Sequence, residues 1–355
     1  MEIEPFELER WFARHEHGAD VMLAESGVRS LPAEEFDLDP GELGYVIPTE
    51  GDPALRERVG GRYGRSTEEV LFTCGTQEAN FVTFAALVDA HAVVVTPTYG
   101  SLHAVPAAFG EVTRIELSPP DWELDPDAVA EAIRPETDVV VINNPNNPTG
   151  RYHDAGTVEA VYDLAADADA YLLGDEVYRL LADEPRPPVA SLGPRGVSTT
   201  GLSKSFGLAG LRFGWVAGPP EVTGAAARWK DYTTISPPKA SQHVARQVLD
   251  REAELLERSR EHAAANRERF RSFAERYGLD WYEGVGVNAF VGVPDGFVDG
   301  RSFCERVVEE ESVVLAPGES FGFPDRFRLG FGLPTGELRE GLDRLGRFLD
   351  RHARD

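Results

Sequence analysis

Lys204 stands out first among the residues that could do chemistry, because it is one of only three lysines in a chain with 32 arginines. A lysine amine attacks carbonyl carbon once it has lost its proton, and desolvation or nearby cations lower its pKa far enough for that. Ser203 precedes it, and Arg212 follows eight residues later. Upstream, Cys74, Gly75, Thr76 and Gln77 lead directly into a helical pattern from Glu78 to Asp89, which aims free backbone N–H groups at an anion. Tyr99 follows Pro97 and Thr98. The run Asn143-Asn144-Pro145-Asn146-Asn147-Pro148-Thr149-Gly150 holds too many turn formers for a plain connection and is rich in side-chain amides. Asp175 adds a carboxylate, with Tyr178 three residues on.

These groups follow a series of short apolar runs: Val70 to Thr73, Val93 to Thr96, Val139 to Asn143, Ala170 to Gly174, Val197 to Thr200 and Phe213 to Ala217. The runs alternate with helical patterns, which predicts a mostly parallel sheet covered on both faces. In open sheets of this α/β class, ligands bind outside the carboxyl ends of the strands, where these polar groups stand. From Gln242 to Tyr277, apolar residues at helical spacing (Val244, Val248, Leu255, Leu256) predict one long bridging helix. Val313 to Leu315, Phe327 to Phe331 and a last helix near Glu337 to Phe348 read as a smaller α+β part that packs with the first 40 or so residues. The expected organisation is a large domain over 45–245 and a small one from 1–44 plus 246–355.

The chain has 355 residues, enough for one large domain with a companion. Apolar runs such as Ala92 to Thr96 and Asp138 to Ile142 are far shorter than a bilayer span, and Met1, Glu2, Ile3 and Glu4 form an acidic start rather than a signal. A soluble cytoplasmic protein with no membrane partner is expected. Cys74 and Cys304 make neither a disulfide framework nor a metal site. Acidic residues number 61 against 35 basic ones, a net charge of -26 that argues against nucleic acid. The excess runs along the whole chain, as on a surface adapted to concentrated salt, where screening lengths shrink to roughly 3 Å. A high-salt cytoplasm is the expectation.

Taken in order, these residues resemble the fold-type I pyridoxal-phosphate aminotransferases of class I and II, from about Gly44 to Phe331. The carriers are the NPNNPTG run, Asp175-Glu176-Val177-Tyr178, and Ser203-Lys204 with Phe206, Gly207, Gly210, Arg212 and Gly214. The segment from Gly44 and Tyr45 through Gly51 to Leu55 and Arg56 is similar to another family stretch. Glu4, Pro5, Phe6, Leu8 and Glu9, with Ala24 to Gly27, also resemble a branch that includes capreomycidine synthase. The resemblance implies the cofactor pyridoxal 5'-phosphate, carried on Lys204 as a Schiff base, with Lys204 then shuttling the Cα proton. Asp175 would face the pyridine nitrogen, which makes the ring an electron sink. Tyr178 and Asn147 would hydrogen-bond the ring 3-oxygen, and Tyr99 would stack on the ring. Arg212 and the amides of Gly75, Thr76 and Gln77 would hold the phosphate. Tyr45 would reach the phosphate of a neighbouring subunit, implying a homodimer with shared sites.

On the substrate side, Arg328 matches the arginine that grips the α-carboxylate, with Arg326 as its rival, and Gly27 would line the same pocket together with Asn147. One departure concerns Gly201, where many relatives carry a phosphate-binding serine; Thr200 and Ser203 are the candidates to replace it. The partners expected are therefore an amino acid and a 2-oxo acid. Transamination, β-elimination, cyclisation and decarboxylation share the same scaffold, so a lyase or cyclase is the alternative. Gly201-Leu202-Ser203-Lys204-Ser205 is not a nucleotide-binding loop, since Ser203 stands where such a loop needs glycine. A cofactor-binding regulator fused to a DNA-binding segment is also disfavoured, because the residues before Gly44 are too few and the chain too acidic.

Overall fold

The apolar runs between residues 70 and 217 assemble into one seven-stranded sheet in the computed structural model, which describes residues 3–352; Met1 and Glu2 of the acidic start lie outside the described residues. Its strands are β1 (Val70–Thr73), β2 (His91–Thr96), β3 (Glu111–Glu116), β4 (Thr137–Asn143), β5 (Tyr171–Asp175), β6 (Gly196–Gly201) and β7 (Gly214–Ala217). The spatial order is β1-β7-β6-β5-β4-β2-β3. Pairing is parallel from β6 through β5, β4 and β2 to β3, whereas β7 runs antiparallel to both β1 and β6. Strands β2 and β6 are buried along their whole length, as in a doubly covered sheet, and the hydroxyls of Ser198, Thr199 and Thr200 in β6 (GVSTTG) each have a hydrogen-bond partner. Each fully buried valine or leucine there contributes about 1.5–3 kcal/mol relative to exposure. The fold is the mixed, helix-covered α/β arrangement that the sequence leads one to expect.

Two details differ from the sequence reading. Strand β3 (EVTRIE) has no apolar run because it is the sheet edge, largely exposed, and alternates charged with apolar positions. The single bridging helix is two, Lys239–Asp250 and Glu252–Tyr277, separated at Arg251, where φ is -110° and ψ 18°. The break uses neither glycine nor proline. Instead the Arg251 guanidinium reaches across to the carbonyl and carboxylate of Glu35, a contact distant in sequence.

A second, three-stranded antiparallel sheet comprises β8 (Asn288–Gly292), β9 (Ala316–Pro317) and β10 (Arg326–Gly330), in the order β8-β10-β9. Val313 to Leu315 is wholly buried, yet its only ladder contact is one bridge from Val313 to Val21. Its apolarity therefore reflects burial, not strand pairing. The N-terminal segment packs here: Trp11 Nε1 donates to the Leu315 carbonyl at 2.8 Å, and Val314 N to the Val21 carbonyl at 2.9 Å. Those bonds carry Ala24 to Gly27 across the carboxyl ends of the large sheet. The last helix, Thr335–His352, covers the small sheet with Leu338, Leu342, Leu345 and Phe348. No helix among the described residues is long and apolar enough to cross a membrane.

Candidate active site

A cleft of about 340 Å³ opens at the carboxyl ends of β2, β4, β5 and β6, and its wall includes Thr76, Gln77, Tyr99, Asn147, Asp175, Tyr178, Lys204, Arg212 and Arg328. Residues spread over some 250 positions thus meet at the end of the sheet where such ligands bind.

Its floor is Asp175, the last residue of β5 and almost fully buried. Oδ2 accepts from the Asn80 amide at 2.8 Å, and Oδ1 from Val177 N at 3.3 Å. Burial nevertheless dominates and pushes this carboxyl up to about 6, against those hydrogen bonds and the nearby Lys204. An anionic Asp175 therefore calls for a cationic partner inside the cleft. Lys204 approaches from the turn after β6, and its Nζ donates to Ser26 Oγ at 2.9 Å and lies 3.8 Å from Glu25 Oε1.

The amide-rich turn after β4 is tied down by its own side chains. Asn143 Nδ2 donates to the Asp175 carbonyl at 3.0 Å, and Asn146 Nδ2 to the Pro97 carbonyl at 2.9 Å. Asn147 accepts on Oδ1 from Arg328 NH1 at 2.9 Å, so the amide's NH₂ end is what it has left to offer the cleft. Tyr178 is buried, with its hydroxyl donating to the Ser26 carbonyl at 2.9 Å. Tyr99 packs edge-on against Phe6 at 4.9 Å and donates to Glu9 Oε1 at 3.0 Å. Burial and the Glu9 carboxylate together raise the Tyr99 phenol well above its ordinary range, so it stays neutral.

At the other end, the helix Thr76–Leu87 begins after Gly75, whose φ of 84° suits only glycine. A Cβ at Gly75 would lie 2.5 Å from Arg212 NH2, so the guanidinium sits flush against the backbone of this turn. Arg212 itself is held in the left-handed region, φ 52° and ψ 52°, with NH1 donating to the Ala209 carbonyl at 3.0 Å. A Cβ at Gly201 would stand 2.9 Å from Thr76 Oγ1. The hydroxyl beside Gly201 is thus that of Thr76, and this buried oxygen has no hydrogen-bond partner. Thr200, one of the two replacements suggested by sequence, turns instead towards the Glu176 carbonyl at 3.3 Å, while Ser203 lines the cleft. Free N–H groups, an orphaned hydroxyl and an abutting guanidinium fit a phosphate group, and the Asp175 floor fits a protonated ring nitrogen.

Arg328 projects from β10, is 1% exposed, and donates to the Asn147 side chain and, at 2.8 Å, to the Ala24 carbonyl. Both partners are neutral and Nε has none, so a buried guanidinium faces the cleft without a counter-ion in its hydrogen bonds. Its rival Arg326 is paired with Asp280 at 2.8 Å and is not in the cleft wall. Gly27 lies beside the lysine but outside the cleft wall: a Cβ there would meet Glu25 Oε1 at 3.2 Å before Lys204 Cδ at 3.8 Å. Tyr45 lies outside the cleft wall on an exposed loop.

The sequence did not single out Asn80, Glu9, Glu25 or Ser26 for roles in this cleft. For Asn80 a signal existed, since it is an amide one helical turn beyond Thr76 and so lies on the same face of the helix as that cleft residue. The other three come from the N-terminal segment, whose approach depends on long-range packing.

Comparison with known proteins agrees with this geometry. Residues 23–345 match the family described as aminotransferase class I and II. The chain is 32% identical to capreomycidine synthase of Streptomyces vinaceus over 98% of its own length and 94% of that protein. Among solved structures it resembles a pyridoxal-phosphate-dependent aminotransferase from Streptococcus suis, at a TM-score of 0.94 and 30% identity with both chains covered completely. It is also similar to the pyridoxal-phosphate-dependent cyclase OrfR, at a TM-score of 0.89 and 30% identity over 99% of each chain.

Proposed function

The chain belongs to the class I and II aminotransferases, enzymes dependent on pyridoxal phosphate, and we propose that it moves an amino group between an L-amino acid and a 2-oxo acid in two half-reactions. The observation that carries this reading is the buried guanidinium of Arg328, with no carboxylate among its hydrogen bonds, lining the same cleft as Lys204. When bound, pyridoxal phosphate withdraws the electron pair left behind when a bond at the substrate Cα breaks.

The residues divide the remaining work. Arg328 binds the α-carboxylate through its fork of N–H groups, a geometry lysine cannot supply. That contact would place the Cα beside Lys204, whose Nζ would take the Cα proton and pass it to the cofactor carbon that keeps the amino group. Asp175 would hold a proton on the ring nitrogen, while the NH₂ of Asn147 would donate to the ring oxygen, as would Tyr178 once its hydroxyl turns from the Ser26 carbonyl. Tyr99 covers the ring face and excludes water. The Gly75, Thr76 and Gln77 turn, with Arg212, holds the phosphate, and the Thr76 hydroxyl stands in for the serine missing at position 201. Gly27 N donates to Glu25 Oε1 and so fixes that carboxylate near Lys204.

Two copies are proposed to share their sites through Tyr45, supported by the exposed apolar residues Leu43, Tyr45, Ile47 and Tyr232, each at least three-quarters uncovered in the single chain. The acidic surface favours a high-salt cytoplasm as the setting.

The second reading is a lyase or cyclase, favoured by the 32% identity to capreomycidine synthase and the likeness to the cyclase OrfR. Spectra separate the two. In a transaminase an amino acid alone converts the cofactor to its amine form, a 2-oxo acid restores the aldehyde form, and no ammonia appears. Release of ammonia, or a cyclised product formed with direct return to the aldehyde form, overturns transamination.

A further inference from the structure

The two lysines outside the cleft bind backbone rather than carboxylates. Lys230 is 1% exposed, and its ammonium donates to the Thr49 carbonyl at 2.9 Å and to the Ile235 carbonyl. Lys239 donates to the Glu42 carbonyl. One loop, 41–51, is therefore fastened near both ends by the only lysines the chain retains besides Lys204, and the second loop, 231–236, is fastened to it through Lys230. These are the loops that expose Leu43 (80%), Tyr45 (75%), Ile47 (83%) and Tyr232 (89%). In a chain where 32 of 35 basic residues are arginine, a lysine kept at a closed site calls for a reason. A compact ammonium can serve two carbonyls converging in a packed interior, whereas a planar guanidinium adds volume that such a site has no room for.

The same loops are bonded to the phosphate end of the cleft. Glu78, in the first turn of the helix that starts at Thr76, accepts from the hydroxyls of Thr233 and Thr234 on Oε1, the latter at 2.7 Å, and from Cys74 N on Oε2 at 2.6 Å. One carboxylate thus joins the second loop to the backbone of the anion-binding turn. On the first loop, the Glu50 carbonyl accepts from Phe72 N at 2.9 Å, two residues before Cys74. Burial lowers the Lys230 pKa, opposed by Glu78, Asp231 and Glu50 around it.

We infer that Lys230 is a positioning residue that locks these two loops into one surface, so that association of two copies of the chain and retention of the cofactor phosphate strengthen each other. This rests on the proposed shared-site dimer. Linkage makes the effect reciprocal: whatever factor the cofactor adds to dimer affinity, dimerisation adds to cofactor affinity. Without the clip each loop keeps its own bond towards the phosphate end, through Glu50 and Glu78, but the two loops are no longer joined to each other and the apolar patch is no longer one rigid surface.

The test is sedimentation of the purified protein over a concentration series in molar potassium chloride, with and without pyridoxal phosphate, beside a melting curve for each sample. The wild type should dimerise more tightly with the cofactor, by a factor within the roughly 5–150-fold usual for coupled sites. In Lys230→Met the increment should vanish while a weaker dimer persists. If Lys230→Met does not fold, Thr233→Val combined with Thr234→Val cuts the Glu78 link and should shrink the same increment. A full increment in whichever of these variants folds overturns the clip and leaves the dimer standing. A wild type that stays monomeric at every concentration overturns both.

Discussion

The carboxylate of Asp175 is held by Asn80 at 2.8 Å, and Asn80 is itself fixed by the Thr199 hydroxyl at 2.6 Å, so the floor of the cleft is oriented from two elements at once. Even so, burial raises the Asp175 pKa to about 6. A folded value above the ordinary one means the folded chain binds this proton more tightly than the unfolded chain does. The penalty is therefore absent below the unfolded pKa, near 4, grows between about 4 and 6, and is complete above that.

Asp175→Asn should accordingly stabilise the cofactor-free protein at pH 7–8, by up to about 3 kcal/mol, while changing little near pH 4. The same variant should lose nearly all activity, since a neutral amide cannot hold the ring nitrogen protonated. Denaturant melts of both proteins across pH check the first part. A stability difference that does not vary with pH would remove the buried carboxylate as its cause.

Lys204 should be the cofactor attachment point. Protein purified in high salt should be yellow, lose its visible band on borohydride treatment, and yield a modified peptide containing Lys204; label on Lys230 or Lys239 would end the assignment. Lys204→Ala should still bind cofactor and substrate but run slower by a factor on the order of 10²–10⁴, the usual worth of a positioned general base.

Arg328→Ala should keep the visible band of the loaded enzyme yet lose amino-acid affinity, measured by spectral titration. Truncating one member of a buried charge pair typically costs roughly 2–5 kcal/mol, so the half-saturating concentration should rise by about 30-fold or more. Arg328→Lys should recover only part of it, because the bidentate fork is gone. Unchanged titration curves would move carboxylate binding to another residue. Arg326 is a poor replacement, being neutralised by Asp280.

What the sequence made legible follows from how local each signal is. Asp175 ends a buried strand, Asn147 and Lys204 stand in the turns directly after one, and Arg212 lies in the short link just before the next, so each residue and the element beside it are written within a few positions. All four reach the one cleft. Asn80, Glu9 and Ser26 have partners 95, 90 and 178 positions away. Nothing near them in the chain announces the contact, and asparagine, glutamate and serine have many ordinary uses on helices and turns. Strand β3 was hidden by its exposed edge position and the break at Arg251 by a distant glutamate; both are decisions made by tertiary packing rather than by local propensity.

The last prediction concerns salt. With 61 acidic and 35 basic residues, the folded surface repels itself, and in dilute buffer near 0.01 M the screening length of roughly 30 Å spans much of the molecule. In molar salt it falls to roughly 3 Å, and the repulsion is confined to nearest neighbours. Screening also weakens attractive pairs such as Arg134 with Glu111 and Arg58 with Asp250, but both are exposed and pairs of this kind contribute about 0–1 kcal/mol each. A net charge of -26 acts on the whole chain, so the repulsive part should win. Removing salt should lower the melting temperature, by roughly 2 °C for each kcal/mol of repulsion restored, and dissociate the proposed dimer, whose two halves would carry the same sign. Potassium and sodium chloride should protect alike, and sucrose at matched osmolality should not replace them. Equal melting temperatures in dilute buffer and in molar potassium chloride would refute the salt adaptation.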